Sequence, residues 1–207
     1  KYKKQSGGHG QYGHVKKTFE PSGDMDTPYV FEQTVVGGAV PKNFFPAVEK
    51  GIAESVKKGP LAAYPVTGIK AVLYDGSYHP VDSSEMAFKV ATQQAFKKGI
   101  MEAKPVLLEP IATLKVVVPE GYTGDVMGEL NKRRARVMGM NPTDNGYQEI
   151  VADIPYLELY GYNATLRSMT SGSGTFSYEF ARYEQAPDDV AAKQIEERAS
   201  KVVEVEE

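Results

Sequence analysis

The chain contains no cysteine and no tryptophan, and only three of its 207 residues are histidine. Without cysteine it can form no disulfide, thiolate zinc site, iron–sulfur cluster or cysteine nucleophile. His9 and His14 have no further ligands at metal-binding spacing, which argues against a zinc site. No run lacking Asp, Glu, Lys and Arg exceeds 11 residues, so we predict no transmembrane helix, no signal peptide and no membrane partner.

Two widespread catalytic motifs are also missing. The sequence has neither the Gly-x-x-x-x-Gly-Lys-Ser/Thr loop that holds nucleotide phosphates nor the Gly-x-Ser-x-Gly elbow of serine hydrolases. Its 27 acidic residues offer many carboxylate pairs, but the pattern distinguishes none of them. We therefore predict no catalytic residue, no metal and no cofactor in this chain.

The remaining composition is that of a folded protein. Hydrophobic residues make up 41% of the sequence and glycine adds 20 residues, enough apolar content for a core and, at this length, for two small domains. Because the sequence opens with Lys1 rather than methionine, we expect it to be a piece of a longer protein.

The net charge of −3 conceals an uneven distribution. From Pro187 onward seven acidic and three basic residues give −4, whereas residues 1–186, with 21 basic and 20 acidic residues, carry +1. Nucleic-acid binding by the body of the chain is therefore compatible with the acidic total.

The first half predicts two helices on a small sheet. Strand-like residues occupy 11–21 and 29–36, and apolar residues at helical spacing predict a helix over 42–58. An alternating strand then leads to a predicted turn at Asp75–Gly76. The spacing of Asp82 and Glu85 matches a capping box, which predicts that Asp82 caps the second helix.

The second half predicts the order β-α-β-β-α-β, the ferredoxin-like sandwich. Its two helices are centred on Val126 and Leu166, and Asn145–Gly146 predicts a hairpin turn. An acidic helix follows from Pro187. The predicted fold class is therefore α+β, with two α/β sandwich domains.

Several surface motifs each allow two interpretations. Gly8–Gly13 matches the dinucleotide fingerprint, but a strand pattern follows it instead of a helix, which leaves a flexible loop or a loop whose bare backbone approaches a phosphate chain. His79, on a loop next to Pro80, is either solvated or able to stack on RNA. A basic cluster at a helix end either complements the helix dipole or contacts phosphate. The alternating aromatic residues Phe176, Tyr178 and Phe180 favour core or half-buried packing.

Several segments of the sequence resemble those of a known protein family. Nearly the whole chain, in register, is similar to the fourth and fifth domains of bacterial elongation factor G. The segments that carry this resemblance are 5–15 (QSGGHGQYGHV), 36–41 (VGGAVP), 58–66 (KGPLAAYPV), 75–85 (DGSYHPVDSSE), 103–110 (AKPVLLEP), 124–128 (GDVMG), 160–162 (YGY), 166–168 (LRS) and 184–187 (EQAP).

The resemblance implies both a fold and a function. Residues 1–108 would form a domain like the second domain of ribosomal protein S5, with a left-handed β-α-β crossover, and residues 109–207 a ferredoxin-like domain with a C-terminal helix. Family members are ribosome-dependent GTPases that drive translocation of tRNA and mRNA. GTP and Mg²⁺ would bind in an N-terminal domain that precedes this piece, and the protein would act as a cytoplasmic monomer.

The resemblance also implies RNA-binding residues. The tip loops of the first domain would enter the decoding centre beside the tRNA–mRNA duplex, through Ser6, Gly7, Gly8, His9, Gly10, Gln11, Ser77, Tyr78, His79 and Asp82. The second domain would face large-subunit ribosomal RNA, with Lys132, Arg133, Arg134, Arg136, Ser171 and Ser173 as candidate contacts.

Because of three departures from the family's usual residues, the step of translation in which this protein acts stays open. His9 stands where arginine is common, Pro80 where aspartate is common, and Ser173–Gly174 where an Arg-Ala pair is frequent. These changes resemble elongation factor G-like paralogues, so ribosome recycling or ribosomal protection is an alternative to translocation. Two alternatives from other classes are a small-molecule-binding regulatory protein built on the ferredoxin-like half and an enzyme of unrecognised type.

Overall fold

The computed structural model describes residues 1–203 as two compact units. The first unit contains Lys1–Pro105 together with the residues from Asp188 onward, and the second is Val106–Pro187. The observed division after Pro105 lies three residues before the expected boundary at 108/109, and the terminal helical segment groups with the first unit instead of the second. No helix within residues 1–203 is long and apolar enough to cross a membrane.

A four-stranded sheet and two helices build the Lys1–Pro105 part of the first unit. The strands lie in the order β1-β2-β4-β3, and β3 and β4 run parallel. Helix α1 connects these two parallel strands and so forms the β-α-β crossover, whose left-handed sense stays a prediction. The bounds are β1 Tyr2–Lys4, β2 Gln11–Pro21, β3 Tyr29–Gln33, α1 Phe45–Ser55, β4 Ile69–Ser77 and α2 Glu85–Glu102.

The helices of the first unit pack closely on the sheet. Val48, Leu73 and Phe88, from α1, β4 and α2, are fully buried in one cluster. Gly13 on β2 is required by this contact, because a Cβ there would lie 2.6 Å from the carbonyl oxygen of Ala87. Burial of this apolar surface is the main force that holds the helices on the sheet.

Two predictions at the end of β4 are wrong. The Asp75–Gly76 sequence does not turn; β4 continues to Ser77 and pairs with β2, because the missing side chain of Gly76 leaves room for the carbonyl oxygen of His14. The cap of α2 is Ser84, whose Oγ accepts a hydrogen bond from the Ala87 amide at 3.1 Å. The carboxylate of Asp82 is bound to a different loop, described below.

The second unit has the predicted β-α-β-β-α-β order. Its four strands are all antiparallel and lie in the order β6-β7-β5-β8. Alternate residues of β5 such as Leu114 and Val116 are buried with Leu130 and Leu166 of the two helices, so the helices cover one face of the sheet. The bounds are β5 Leu108–Pro119, α3 Thr123–Lys132, β6 Arg136–Pro142, β7 Tyr147–Pro155, α4 Tyr162–Met169 and β8 Thr175–Gln185.

The predicted terminal helix is divided into two helices, α5 (Asp188–Glu197) and α6 (Ala199–Val203). Arg198 lies at the break, with its guanidinium carbon 3.8 Å from the centre of the Tyr64 ring and its Nε donating to the Ala62 carbonyl at 2.6 Å. The Tyr64 hydroxyl donates to Gln194 at 2.8 Å. These contacts fix the terminal helices on the first unit, a placement that composition alone could not predict.

Candidate nucleic-acid interface

Two loops meet at one end of the first sheet. We call residues 5–10, between β1 and β2, the glycine loop, and residues 78–84, between β4 and α2, the histidine loop. Because β2 begins where its antiparallel partner β4 ends, both loops lie at the same end of the sheet. The backbones touch directly there, with the Tyr12 amide donating to the Asp82 carbonyl at 2.9 Å.

Asp82 joins the two loops through its side chain. Its Oδ1 accepts a hydrogen bond from the Gly10 amide at 3.1 Å. A Cβ on Gly10 would lie 2.9 Å from Asp82 Oδ2 and 3.1 Å from the Lys4 carbonyl oxygen, so this position favours glycine. The Asp82 side chain is only 16% exposed. The carboxylate of Asp82, a predicted RNA contact, therefore faces the protein and holds the glycine loop in place.

Ser83 closes the histidine loop on itself and on β2. Its Oγ accepts from the His79 amide at 2.8 Å and donates to the Tyr12 carbonyl at 2.9 Å. The Ser83 amide donates to the His79 carbonyl at 3.2 Å, which completes a turn. With these bonds the loop is held from both ends, so its outward-facing groups have a fixed direction.

His79 lies at the tip of the histidine loop with its side chain 49% exposed. Its Nδ1 is within hydrogen-bond distance of the Val81 amide at 3.2 Å and the Asp82 amide at 3.0 Å. The imidazole also lies beside Tyr12, with 6.4 Å between ring centres. The ring is thus positioned by its own loop, and about half of its side-chain surface remains exposed.

A smaller polar cluster lies beneath the tip. Ser77 Oγ is 2.6 Å from the Tyr12 hydroxyl and 2.8 Å from His14 Nδ1. Partial burial lowers the pKa of His14, and the positive charges of the N-terminus, Lys1 and Lys16 add to this effect. His14 is therefore neutral at physiological pH, and the predicted contact residue Ser77 is engaged with it and with Tyr12.

The other predicted tip residues face solvent. Gln11 is exposed and its Oε1 accepts from the Tyr2 hydroxyl at 2.5 Å. Tyr78 is also exposed, next to His79. The structure brings the glycine loop and the histidine loop together and leaves a set of exposed residues: Ser6, Gly7, Gly8, His9, Gln11, Tyr78 and His79.

Within the basic cluster of the second unit, two arginines are bound to the protein itself. Arg133 donates to the Glu129 carboxylate at 2.9 Å and to the Glu158 carbonyl at 2.6 Å. Arg134 makes a two-pronged pair with Glu109 at 2.9 and 3.0 Å and a third bond to Glu158 at 3.0 Å. The bond with Glu109 raises the pKa of Arg134 above its ordinary value, so the guanidinium stays charged. Their geometry favours a structural role for both residues.

The remaining candidates of the second unit have more exposed positions. Lys132 is exposed at the end of α3, and Arg136 pairs with Asp153 at 3.1 Å on the sheet. Ser171 is exposed in a left-handed backbone conformation, with φ of 51°. Ser173 donates to the Thr170 carbonyl at 2.5 Å.

The aromatic residues of β8 are buried to different degrees. Phe176 packs edge-on against Tyr162 with 5.1 Å between ring centres, as expected. Tyr178 and Phe180 are 51% and 52% exposed and lie against Tyr156. Because β8 is an edge strand, the helices cover only part of it, and alternation alone does not reveal that position.

Within the described part of the chain, no group of three or more His, Asp or Glu side chains is arranged to hold a metal ion. The two loops expose hydrogen-bonding side chains, an imidazole and glycine backbone. These groups suit contact with a polar macromolecule.

Comparisons with known proteins agree with the two folds. The family model for elongation factor G, domain IV matches residues 1–104, and that for the elongation factor G C-terminus matches residues 106–194. The class is thus the domain IV and C-terminal part of elongation factor G. This chain belongs to the elongation factor G family.

Two relatives illustrate the match. The elongation factor G-like protein of Thermotoga maritima is 50% identical over 206 residues, which cover all of this chain and 30% of that protein. A crystal structure of a protein from Thermus thermophilus has a TM-score of 0.81 and 45% identity, and the match covers 96% of this chain and 29% of that one. The chain therefore spans about 30% of the length of the proteins it matches.

Proposed function

We propose that the chain is the ribosome-binding C-terminal portion of a translational GTPase that promotes translocation of tRNA and mRNA during elongation. The glycine loop and the histidine loop face the tRNA–mRNA duplex in the decoding centre, and the second unit faces large-subunit ribosomal RNA. GTP and Mg²⁺ bind in an N-terminal domain outside this chain. The protein acts in the cytoplasm as a monomer, and this portion takes no part in the GTP chemistry.

One observation carries the proposal: two loops far apart in sequence are held together as a single surface. The Gly10 amide and the Asp82 carboxylate, 72 residues apart, join the loops, while Gln11, Tyr78 and His79 remain exposed. Because both loops are already ordered, RNA contact would cost little further conformational entropy. Such a tip suits a rigid arm that holds RNA in a moved position.

The proposed role of the tip residues can be tested by substitutions in the full-length protein. Replacing His79 and Gln11 with alanine is expected to slow single-round translocation by about three- to ten-fold for each lost hydrogen bond. Gln94→Ala, on the exposed surface of α2, is the matched control and is expected to leave the rate unchanged. Unchanged rates for both tip variants, with an intact fold, would refute their assignment.

Salt dependence provides a second test. Lys3 and Lys4 lie beside the glycine loop and are exposed, as is Lys1. We expect this chain alone to bind ribosomes weakly, with an affinity that falls as salt is raised, because phosphate contacts release counterions. Affinity that does not change with salt would argue against phosphate contact.

Ribosome recycling or protection is a second candidate. Pro80 removes a backbone donor from the histidine loop, and the Thermotoga maritima relative carries the name elongation factor G-like protein. Measuring ribosome splitting and translocation side by side with the full-length protein separates the two roles. A small-molecule regulatory role is less well supported, because the family match extends over both units.

A further inference from the structure

The terminal helices α5 and α6 give the two units a second chain connection. The chain passes from the first unit to the second after Pro105 and returns to the first after Pro187. We call the returning segment, residues 188–203, the strap. On the second unit the two passages start side by side, because the Ala186 amide donates to the Leu107 carbonyl at 2.9 Å. What the strap adds to the first connection therefore depends on how firmly it is attached to the first unit.

That attachment is made by Arg198. Its guanidinium carbon lies 3.8 Å from the centre of the Tyr64 ring. Its Nε donates to the Ala62 carbonyl at 2.6 Å, and its Nη2 to the Ala63 carbonyl at 3.4 Å. One turn earlier, Gln194 accepts from the Tyr64 hydroxyl at 2.8 Å. A planar guanidinium can stack and donate in two directions at once, which a lysine ammonium cannot do.

The loop that receives Arg198 has a fixed shape of its own. The Gly59 amide donates to the Tyr64 carbonyl at 2.8 Å, and the Ala63 amide donates to the Gly59 carbonyl at 3.1 Å. Ala63 has a left-handed backbone conformation, with φ of 58°. This conformation is uncommon outside glycine and persists only where the surrounding structure holds it. The loop thus presents two successive carbonyls to one guanidinium.

The loop lies at the end of the first unit opposite the glycine loop and the histidine loop. Val56 and Ile100, at the ends of α1 and α2, share one buried cluster there, and β2 ends where β4 begins, with Pro21 paired to Ile69. We call this end the base. Helix α2 has 18 residues and is about 27 Å long. Over that length, a tilt of about 10° at the base displaces the tip loops by about 5 Å.

We propose that Arg198 is a positioning residue. By anchoring the strap at the base, it limits the tilt of the first unit relative to the second and so restricts where the two tip loops can be. The effect on translocation rests on the proposed function. The anchoring does not, and it can be measured in this chain without a ribosome.

The first experiment measures ¹⁵N relaxation and amide exchange in this chain. In the wild type we expect the strap to be as rigid as α2 and both units to share one rotational correlation time. Arg198→Ala is expected to accelerate amide exchange in α5 by about ten-fold and to give the units separate, shorter correlation times. Lys201→Ala removes an exposed charge from α6 and is the matched control, with wild-type behaviour expected.

Two results would overturn the anchoring role: a strap that stays ordered in Arg198→Ala, or units that still tumble together once the strap is released. Slow amide exchange in β4 verifies that each variant is folded. Tyr64→Leu removes the other half of the contact and is expected to reproduce the effects of Arg198→Ala. Wild-type behaviour of Tyr64→Leu would contradict the assigned contact.

The second experiment measures single-round translocation and ribosome-stimulated GTP hydrolysis by the full-length protein. We expect Arg198→Ala to slow translocation by about ten-fold, because displaced tip loops engage their partner less often in the right geometry, and to leave GTP hydrolysis unchanged. Arg198→Lys keeps the charge but loses the planar fork, so its rate is expected to lie between those of wild type and Arg198→Ala. Lys201→Ala is expected to have the wild-type rate.

The outcomes separate this inference from the proposed function. A normal rate for Arg198→Ala with a slow rate for His79→Ala would overturn the positioning role and leave the proposed function standing. Normal rates for both would count against the proposed function as well. Equal losses of translocation and GTP hydrolysis in Arg198→Ala would also overturn the positioning role, because the defect would then precede the movement of the arm.

Discussion

The carboxylate of Asp82 accepts a hydrogen bond at 3.1 Å from the backbone amide of Gly10, which precedes it by 72 residues. This bond joins the two loops that carry the exposed residues of the tip. Asp82 does not cap the adjacent helix, because Ser84 holds that position. The carboxylate is thus free to bind across to the glycine loop, and several predictions depend on this contact.

The first prediction concerns the coupling of Gly10 and Asp82. Asp82→Ala removes a largely buried hydrogen bond to a charged group and is expected to lower the free energy of unfolding of the first unit by about 1–2 kcal/mol. Gly10→Ala is expected to cost a similar amount, about 1–2 kcal/mol, because its Cβ displaces the same carboxylate. Urea denaturation of the single and double variants measures both effects.

The double variant is expected to lose less than the sum of the two single losses, because each change breaks the same contact. Asp26→Ala, at an exposed position, and Gly8→Ala, where a Cβ meets only the Ser6 carbonyl at 3.9 Å, serve as controls. Strict additivity would mean that the two residues do not act together.

A second prediction separates structural from exposed cations in the second unit. Arg134→Ala removes a two-pronged bond to Glu109 and a bond to Glu158, and is expected to lower the free energy of unfolding by about 1–3 kcal/mol. Lys132→Ala, two residues away and exposed, is expected to change it by less than about 0.5 kcal/mol. Equal effects in denaturation experiments would contradict the structural role of Arg134.

The course of the strands and helices could largely be predicted from the sequence. Apolar spacing was sufficient for α1, α2 and the β-α-β-β-α-β order of the second unit, because burial enforces that periodicity. The end of β4 was mispredicted because Gly76 and Asp75 are common in turns, and the room that Gly76 makes for His14 is a tertiary feature. The local sequence around Gly76 does not show which strand will pair with it.

The candidate site was predictable in part. The sequence motifs identify both loops, but they do not distinguish residues that face outward from those that hold the loops together. Asp82 faces Gly10, Arg134 binds the carboxylates of Glu109 and Glu158, and Arg133 binds the backbone carbonyl of Glu158. All of these partners are distant in sequence. A cluster of cations has the same appearance in a sequence whether its charges are paired or available.

A third prediction concerns pH. Burial lowers the pKa of Lys17 from 10.5 to about 7, and its Nζ has no hydrogen-bond partner within residues 1–203. Between these two values the unfolded chain binds more protons than the folded chain, so this residue makes stability rise with pH. Lys17→Met removes the cost of burying this amine and is expected to raise the free energy of unfolding at pH 7 by about 4 kcal/mol, at about 1.4 kcal/mol for each pH unit by which the pKa is lowered.

The stability gained by Lys17→Met is expected to shrink as the pH rises from 7 toward 10.5. Denaturation of wild type and variant at matched pH values measures this gain, and Lys58→Met, at an exposed position, controls for the change in hydrophobicity. A gain that is the same at every pH would mean that the lysine is not neutralised by folding.

The central claim is that the two loops act as one RNA-facing surface because Asp82 holds them together. Its most direct test is single-round translocation by the full-length protein carrying Asp82→Ala, compared with Asp26→Ala and with ribosome-stimulated GTP hydrolysis measured in parallel. We predict that Asp82→Ala slows translocation by about ten-fold, as expected for the loss of a charge-assisted hydrogen bond, and leaves GTP hydrolysis unchanged. A translocation rate equal to that of Asp26→Ala, in a protein that is correctly folded, would contradict the account.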